Sequence, residues 1–349
     1  MYNVAIVGAG FAGEKYAMAC YQNTELYLKC VCDNNNENAE RIAKKYAVEL
    51  IYTDWKDVVR LVDIDILIVA VPNDMHYEVC VEGVKNGKHI LCEKPLCFSY
   101  EELTRIMEMA NENGVFVSCC YNLIDIPAII YLKNLIDSDK LGELVCFRGA
   151  YDDDRLADKN VGYEWRLSKK FSAGGGICDL GINIISVSQF LFGNIESLVG
   201  MTDIVHRYRR DANGEMLEVE NDDVSQFMFK YKNGGTGYIV SNRVAHGVSQ
   251  GMAFEAQFTR GTIRFSLKDI NEVDVFVVGN DGFENICING KTRKSISYDD
   301  LRIINVAKSI ECIKENKKAV ADFFFAYEVD RVVGAVLKSS ESQKWVNIN

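Results

Sequence analysis

A glycine-rich turn near the N-terminus constrains the fold of this sequence more than any other feature. The β-branched, apolar run from Val4 to Val7 is too short for a helix and predicts a buried strand. Gly8, Gly10 and Gly13 follow it with the spacing Gly-x-Gly-x-x-Gly, and an apolar helical stretch begins at Phe11. The first glycine permits a tight turn, the second lets the backbone approach a pyrophosphate, and the third lets the helix pack closely on the strand. The helix N-terminus adds N–H donors, so this segment predicts a dinucleotide-binding turn.

An acidic residue at the end of the next strand indicates which dinucleotide is bound. A second apolar run, Leu26 to Cys32, ends in Asp33, which lies 20 positions after Gly13. A carboxylate there can accept a hydrogen bond from the ribose 2′-hydroxyl of an adenosine. Residues 34–36 are all Asn, so a 2′-phosphate would face a negative charge without a cationic partner. NAD is therefore predicted in preference to NADP. The alternative, a glycine turn with a structural role only, is disfavoured because strand, glycines, helix, strand and acid occur in this order.

Length and composition exclude several classes of function. The 349 residues predict about two domains. No run of about 18 apolar residues is present, and a net charge of −11 argues against nucleic acid or an anionic membrane as a partner. The twelve cysteines lie in apolar runs without a Cys-x-x-Cys pair, which favours buried thiols in a reducing cytoplasm over a metal site. The N-terminus enters a strand directly, so no signal peptide is expected.

The first 121 residues repeat strand–helix units. Short apolar runs such as His89–Cys92 alternate with helical stretches, which is typical of strands buried on both faces of a parallel sheet. Ser99 and Glu102 have the spacing of a capping box, and Gly114 should end the helix that they begin. We therefore expect an α/β protein whose N-terminal Rossmann domain, a doubly wound parallel sheet, spans residues 1–121.

The pattern changes after residue 121. A helix is predicted at about 128–137, and strands between 195 and 288 follow one another through hairpin turns. Residues 122–349 should form a C-terminal α+β domain with a large open, mainly antiparallel sheet, which would bind the substrate and mediate oligomerisation. The last helix, at about 326–340, is expected to pack back on the Rossmann domain.

The second face of that sheet has no helices left in the sequence to cover it. If this face is as apolar as Phe227, Phe229 and Tyr231 suggest, it should meet another subunit. A homo-oligomer, either a dimer or a tetramer, is therefore predicted.

Polar residues stand at the ends of two predicted strands, where open α/β sheets bind their ligands. The residues 71–73 (Val-Pro-Asn) end one strand and precede His76, and Glu93 and Lys94 end another. A lysine that is partly desolvated beside a nicotinamide can accept or donate a proton near neutral pH. The alternative for Lys94 is a surface lysine in an ordinary ion pair.

A second polar cluster follows three consecutive glycines at 174–176. Asp179, Asn183 and Ser186 have the spacing i, i+4 and i+7, which places them on one stripe of a helix whose other residues are mostly apolar. Such a stripe needs polar partners or a ligand. A buried hydrogen-bond network without a ligand remains the alternative.

These motifs give the chain a resemblance to the Gfo/Idh/MocA family (glucose-fructose oxidoreductase, inositol dehydrogenase and rhizopine-catabolism protein). The matching features are the glycine turn, Pro72-Asn73 with His76, the segment Gly87 to Pro95 that contains Glu-Lys-Pro, and the glycine-rich turn before Asp179. They occur in order through essentially the whole chain. The resemblance implies an NAD(P)-dependent dehydrogenase or reductase of sugars, polyols or their derivatives, with a Rossmann domain followed by an open-sheet domain used for oligomerisation.

The resemblance also implies which residues form the site. Lys94 and Asp179 would be catalytic, and Asn183 is the third candidate catalytic residue. The candidate cofactor-binding residues are Gly8, Gly10, Phe11, Ala12, Gly13, Asp33, Val71, Pro72, Asn73, His76, Glu93 and Lys94. The candidate substrate-binding residues are Tyr121, Asn122, Asp152, Asp154, Trp165, Arg166, Asp179 and Asn183.

The chain departs from the family pattern at one important position. The family usually has a histidine general base one helical turn after the aspartate, where this chain has Asn183, and often an aspartate where it has Ser186. An asparagine can orient a hydroxyl but cannot remove its proton. In a dehydrogenase of this sequence, Lys94 must therefore accept the proton, directly or through a relay.

Together these features predict an NAD-dependent oxidoreductase that acts on a secondary hydroxyl of a sugar, cyclitol or glycoside. Oxidation at the 3-position of a glucoside is the sharpest form of this hypothesis. Two alternatives stay open: a glycosidase that uses NAD for transient oxidation and elimination, and a non-catalytic sugar or cofactor sensor. Net formation of NADH would separate the dehydrogenase from both.

Overall fold

The computed structural model describes residues 1–170, 172–288 and 296–348. They form two compact units. The first contains Met1–Asn122 and Tyr298–Tyr327, and the second contains Leu123–Ser297 and Glu328–Asn349.

The first unit is built on a parallel sheet. Up to residue 119 its helices and strands are β1 (Tyr2–Val7), α1 (Phe11–Gln22), β2 (Leu26–Cys32), α2 (Asn36–Tyr46), β3 (Leu50–Tyr52), α3 (Trp55–Val59), β4 (Ile66–Val69), α4 (His76–Lys85), β5 (His89–Cys92), α5 (Tyr100–Asn113) and β6 (Val117–Cys119). The strand order is β3-β2-β1-β4-β5-β6, and every pair is parallel. The predicted doubly wound Rossmann sheet is confirmed, and its order reverses between β1 and β4, where such sheets bind ligands.

The second unit is built on a nine-stranded sheet. Its elements are α6 (Pro127–Asp137), β7 (Leu144–Asp152), a π-helical turn (Ile177–Gly181), α7 (Ile182–Phe192), β8 (Ile195–Asp203), β9 (Tyr208–Arg210), β10 (Met216–Glu218), β11 (Val224–Tyr231), β12 (Thr236–Asn242), β13 (Gly251–Phe258), β14 (Gly261–Ser266), β15 (Glu272–Val277), β16 (Glu284–Cys287) and β17 (Val346–Asn347). The sheet order is β16-β15-β14-β13-β7-β12-β11-β8-β17, and β9 and β10 form a separate hairpin. The predicted large, mainly antiparallel sheet is confirmed.

The position of β7 differs from a simple succession of hairpins. This strand lies between β12 and β13, which are consecutive in the chain but are not neighbours in the sheet. Among the described strands of this sheet, the β7–β12 pair is the parallel one. The first strand of the unit therefore occupies the centre of the sheet.

The prediction that Phe227, Phe229 and Tyr231 mark the uncovered face of the large sheet was wrong. All three are buried, and Tyr231 packs on Phe192 of α7 with ring centroids 5.7 Å apart. The alternation along β11 instead exposes residues such as Met228, which is 59% exposed, on the opposite face. The two-residue period of the strand puts the three aromatic side chains on one face, and α7, through Phe192, packs on that face.

Two helices complete the chain, α8 (Leu301–Glu315) and α9 (Phe323–Ser342). Helix α8 packs against α1, and its Val306 and Ile310 join the hydrophobic core of the first unit. Residues 298–327 therefore cluster with the first unit, whereas the predicted boundary had assigned them to the second domain. Within the described residues, no helix combines the length and apolarity that a membrane span requires.

Candidate active site

The glycine turn after β1 has room for backbone only. A Cβ at Gly8 would lie 2.2 Å from the carbonyl oxygen of Ala70, and one at Gly13 would lie 1.9 Å from the carbonyl oxygen of Gly8. Gly8 also has a φ of +102°, which favours glycine. At Gly10, by contrast, no described atom lies within 4 Å of an added Cβ, so its backbone faces open space. This cradle fits a dinucleotide pyrophosphate, which requires close backbone approach at the second glycine.

Asp33 is fixed at the end of β2 by two backbone donors. The Ala9 N–H donates to Asp33 Oδ2 at 2.7 Å, and the Asn35 N–H donates to Oδ1 at 2.9 Å. Each carboxylate oxygen keeps a further lone pair. The carboxylate is therefore tied directly to the glycine turn and can still accept hydrogen bonds from ribose hydroxyls.

Two cationic side chains near this turn were not predicted from the sequence to belong to the site. Arg41 Nη2 donates to the carbonyl oxygen of Ala9 at 3.2 Å, and Arg41 also pairs with Glu14. Lys45 Nζ lies 2.7 Å from the other oxygen of Glu14, and these contacts hold the pKa of Glu14 below its usual value. The sequence argument considered only residues 34–36. The available signal was the i, i+4 pair Arg41 and Lys45 on one face of α2.

His76 bridges the segments that follow β4 and β5. Its ring is fully buried, with Nε2 3.0 Å from the carbonyl oxygen of Val71 and Nδ1 2.8 Å from that of Pro95. Burial lowers the pKa of His76, and a neutral ring can donate to one of these two acceptors. The imidazole thus holds the two strand ends together.

Glu93 and Lys94 follow β5 directly. Glu93 Oε1 accepts from the Tyr16 hydroxyl at 2.9 Å and from Arg302 Nη2 at 3.3 Å, and Oε2 accepts from the Lys94 N–H at 3.2 Å. Tyr121, predicted to flank the pocket, is buried with its ring against Phe325 at 5.8 Å. The following residue, 122, is half-buried and ends the N-terminal segment of the first unit.

Asp179 lies among three guanidinium groups of the second unit. Its Oδ2 is 3.3 Å from Arg155 Nη2 and 3.7 Å from Arg243 Nη1, and its Oδ1 is 3.4 Å from Arg166 Nε. Glu164 pairs with Arg155 at 2.8 Å. The predicted residues Asp179 and Arg166 are thus in contact, and Arg155, Arg243 and Glu164 join them.

The backbone that carries Asp179 is unusual. Asp179 lies in the π-helical turn, a feature frequent at functional sites. Asn183 Nδ2 donates to the backbone carbonyl of Asp179 at 2.9 Å, and Ser186 Oγ donates to that of Asn183 at 2.7 Å. The predicted polar stripe therefore exists. Because its Nδ2 is engaged, Asn183 keeps Oδ1 as an acceptor for a hydroxyl.

A buried acid that was not predicted from the sequence binds the backbone N–H groups at the start of this helix. The carboxylate of Asp222 accepts from the N–H groups of Gly175 at 2.8 Å and Ile177 at 2.9 Å. Burial raises the pKa of Asp222, although these donors oppose the rise. A Cβ at Gly175 would lie 1.9 Å from the carbonyl oxygen of Asp222, which explains why the turn needs glycine.

A second buried acid supports the cluster around Asp179. Asp223 is fully buried and accepts from Arg243 Nε at 3.0 Å. Arg243 is itself 1% exposed, so Asp223 fixes one of the three guanidinium groups beside Asp179.

The remaining predicted substrate residues surround the loop that follows β7. Burial raises the pKa of Asp152, and Asp154 is half-buried. Trp165 is 40% exposed, with the Arg166 guanidinium 4.4 Å from the centroid of its ring. Arg209, a buried residue of β9, donates to the backbone carbonyls of this loop at residues 156, 158 and 161. No group of three His, Cys, Asp or Glu residues suited to a metal ion occurs in the ranges that the structure describes.

Comparisons with known proteins match both units. The GFO_IDH_MocA family, an oxidoreductase family with an NAD-binding Rossmann fold, matches residues 2–121, and the GFO/IDH/MocA C-terminal domain matches residues 129–264. Levoglucosan dehydrogenase from Pseudarthrobacter phenanthrenivorans is 25% identical over 99% of this chain and 98% of its own. D-glucoside 3-dehydrogenase from Escherichia coli is 26% identical over 54% of each chain.

Solved structures are similar over the full length. A levoglucosan dehydrogenase in complex with NADH and levoglucosan is 25% identical, with a TM-score of 0.93 over 100% of this chain and 99% of its own. An NAD binding oxidoreductase from Klebsiella pneumoniae is 29% identical, with a TM-score of 0.92 over 100% of this chain and 99% of its own.

Proposed function

The chain belongs to the Gfo/Idh/MocA oxidoreductase family, and from this we propose that it oxidises a secondary hydroxyl of a sugar, cyclitol or glycoside with NAD. The observation that carries the proposal is the cluster around Asp179, where a carboxylate, an amide and three guanidinium groups lie close together. Such groups suit a neutral polyhydroxylated ligand, since every hydroxyl can both donate and accept. The names of two relatives, a levoglucosan and a D-glucoside dehydrogenase, support this substrate class.

NAD, when bound, supplies the hydride acceptor. The glycine turn would hold its pyrophosphate and Asp33 its adenosine ribose, because the turn leaves bare backbone and the Asp33 carboxylate is anchored beside it. We assign the strand-end residues 71–73, His76, Glu93 and Lys94 to the remainder of the cofactor site. His76 would act there by shaping the backbone, since both of its ring nitrogens face carbonyl oxygens.

Lys94 would accept the hydroxyl proton during oxidation. Asn183 cannot take this role, because its side chain has no titratable proton, and its Nδ2 already donates to the backbone carbonyl of Asp179. We assign Asn183 Oδ1 to orienting the reacting hydroxyl and the Asp179 carboxylate to a neighbouring one. Further hydroxyls would contact residues among the following: Tyr121, Asn122, Asp152, Asp154, Trp165 and Arg166.

The sharpest form of the proposal is oxidation of the 3-hydroxyl of a glucoside. The D-glucoside 3-dehydrogenase among the relatives supports it. An exposed tryptophan, Trp165, offers the kind of flat apolar surface on which a pyranose ring can rest.

We further propose a cytoplasmic homo-oligomer, either a dimer or a tetramer. All twelve cysteines are free thiols, which is consistent with a reducing compartment. Met201, Met228 and Tyr238 are 56%, 59% and 45% exposed on neighbouring strands of the large sheet. Contiguous exposed apolar residues of this kind commonly mark a subunit contact.

A panel of inositols, free pyranoses, anhydrosugars and glucosides, with NADH absorbance as the readout, tests the proposal. We expect turnover on at least one member, and Lys94→Ala should reduce that turnover by roughly 10²- to 10⁴-fold while NADH still binds. The matched control is Lys85→Ala, which removes an exposed lysine paired with Glu82. Full turnover by Lys94→Ala would show that Lys94 is not the proton acceptor. NADH binding without oxidation of any panel member would contradict the dehydrogenase.

A further inference from the structure

The carboxylate of Glu93 makes all of its described contacts inside the first unit. The Tyr16 hydroxyl and Arg302 Nη2 donate to Oε1 at 2.9 and 3.3 Å, and the Lys94 N–H donates to Oε2 at 3.2 Å. The side chain is 12% exposed. An anion with this little water needs compensating charge and donors, and both of its oxygens have them.

Arg302 supplies the compensating charge from a remote part of the chain. It lies 209 residues after Glu93, near the start of α8, and its side chain is 18% exposed. Its guanidinium lies 5.5 Å from the centroid of the ring of Tyr16, and the hydroxyl of the same tyrosine donates to Glu93. Arg302 falls outside both segments that match the family, residues 2–121 and 129–264.

The charges around Glu93 have opposing effects. Burial alone would raise the pKa of Glu93, but Arg302, Lys94 and the Tyr16 hydrogen bond lower it below its usual value. The titratable and charged groups that face this network are Tyr16, His76, Lys94, Cys120, Tyr298 and Arg302. Burial raises the pKa of Tyr16 and lowers that of His76, so both are neutral near pH 7.

We propose that Arg302 is a positioning residue for Lys94, acting through Glu93: its guanidinium holds the Glu93 carboxylate in place, and the carboxylate in turn fixes the backbone turn that carries the lysine. This inference rests on the proposed role of Lys94 as proton acceptor. An ionised Glu93 accepts from the Lys94 backbone at one oxygen and from Tyr16 and Arg302 at the other. A protonated carboxyl would turn one of these acceptors into a donor, so a contact would be lost and the turn would loosen.

The direct test compares Arg302→Gln and Arg302→Lys with the unaltered enzyme, using the panel substrate that is oxidised fastest. Arg302→Gln should lower kcat by up to about 100-fold, the loss expected from a small misplacement of a catalytic group. The Kd for NADH should change much less than kcat, because the proposed pyrophosphate and ribose contacts lie at the glycine turn and Asp33, away from Glu93. The acidic limb of the kcat profile should move to higher pH. Arg302→Lys should move the limb back, because it restores the charge.

The control is Lys314→Gln on the same helix. Lys314 pairs with Glu25 at 2.6 Å, and both side chains are about half exposed, so this change removes an α8 cation without touching Glu93. We expect unaltered kcat and pH profile. If Arg302→Gln keeps the normal profile, or lowers kcat equally at every pH without recovery in Arg302→Lys, the inference fails. The proposed function fails separately if Lys94→Ala keeps turnover.

A second readout needs no substrate. In the unaltered protein the lowered pKa of Glu93 contributes stability above the unfolded-state pKa, and that contribution is lost as pH falls through the folded pKa. In Arg302→Gln the carboxyl should have a raised pKa, so its ionisation destabilises the fold as pH rises. The Tm difference between the two proteins should therefore be larger at pH 8 than at pH 5. A difference independent of pH would contradict the role assigned to Arg302.

Discussion

Neutralising Asp33 should relax the discrimination between NAD and NADP. A 2′-phosphate carries a charge of about −2 and would replace the hydroxyl that Asp33 is placed to bind. At a separation of about 5 Å and an effective dielectric constant of about 40–80, Coulomb's law gives about 2–3 kcal/mol of repulsion. This corresponds to a preference for NAD of about 30- to 150-fold. Asp33→Asn should remove most of it, and Asp33→Ala should also free the Ala9 N–H that donates to Oδ2.

The structure adds a second component to this discrimination. Arg41 and Lys45 lie near the same turn, but both are paired with Glu14. Arg41 contacts the carbonyl of Ala9, the residue whose N–H binds Asp33, so its guanidinium would be within reach of a ribose bound at Asp33. In an Asp33→Asn background, Glu14→Gln should release Arg41 and strengthen NADPH binding by a further few-fold to about tenfold.

The assay is direct titration of NADH and NADPH, followed by nicotinamide fluorescence at constant ionic strength. Glu101→Gln provides the control, since it removes an exposed carboxylate from the start of α5, away from the glycine turn. Equal Kd values for the two cofactors in the unaltered protein would refute the assignment of Asp33. An unchanged Kd ratio in Asp33→Asn would refute the electrostatic origin of the preference.

Two further predictions concern the lysine and the large sheet. Lys94→Arg should reduce turnover nearly as much as loss of the side chain, because a guanidinium remains protonated and cannot accept the hydroxyl proton; steady-state kinetics measures this, and retained turnover would contradict it. Met228→Arg combined with Tyr238→Arg should shift the protein toward monomers in light scattering, because both residues are exposed on adjacent strands; an unaltered protein already monomeric at micromolar concentration would contradict the proposed oligomer.

The local signals of the sequence predict the first unit well. Ser99 and Glu102 form the reciprocal capping box, and Gly114 ends the same helix with a φ of +63°. The steric need for glycine at 13 is equally local, since a Cβ there would meet the carbonyl oxygen of Gly8, and the φ of +102° at Gly8 is a local requirement as well. Features that depend on short stretches of backbone geometry are therefore readable without tertiary information.

The residues that hold the candidate site residues in place cannot all be predicted from local sequence patterns. Arg302 and Glu93 are separated by 209 residues, and no local pattern links them. The ion pair of Asp223 and Arg243 is different. The β11–β12 hairpin pairs Val224 with Asn242, so the next pair of residues in the same register is Asp223 and Arg243. Extending the register of the predicted hairpin by one residue would have found this ion pair.

The aromatic face of β11 shows a second limit. Alternation predicts that Phe227 and Phe229 share a face, but it does not specify which face the helices cover. That choice depends on α7, whose Phe192 packs into the same aromatic cluster. Burial of the large aromatic rings against the helices removes more apolar surface from water and is therefore the more stabilising arrangement. The alternate residues of β11, such as Met228, remain exposed on the other face.

Asn183→His should restore a base at the position where the family usually has one. The Asn183 amide already donates from Nδ2 to the Asp179 carbonyl at 2.9 Å, and Nδ1–H of a histidine can occupy the same place. That hydrogen bond would fix the tautomer and leave Nε2 unprotonated, as a proton acceptor with an ordinary pKa of about 6.5.

In a Lys94→Ala background the substitution should therefore recover turnover at least about tenfold, with a new limb in the kcat profile near neutral pH. Asn183→Gln is the matched control, because it keeps an amide and adds no base. Equal turnover by the two double variants would show that the position only orients the hydroxyl and that proton removal cannot be relocated there. Recovery confined to the histidine variant would mean that the π-helical turn at Asp179 still has the geometry for a histidine base, although this chain carries an amide.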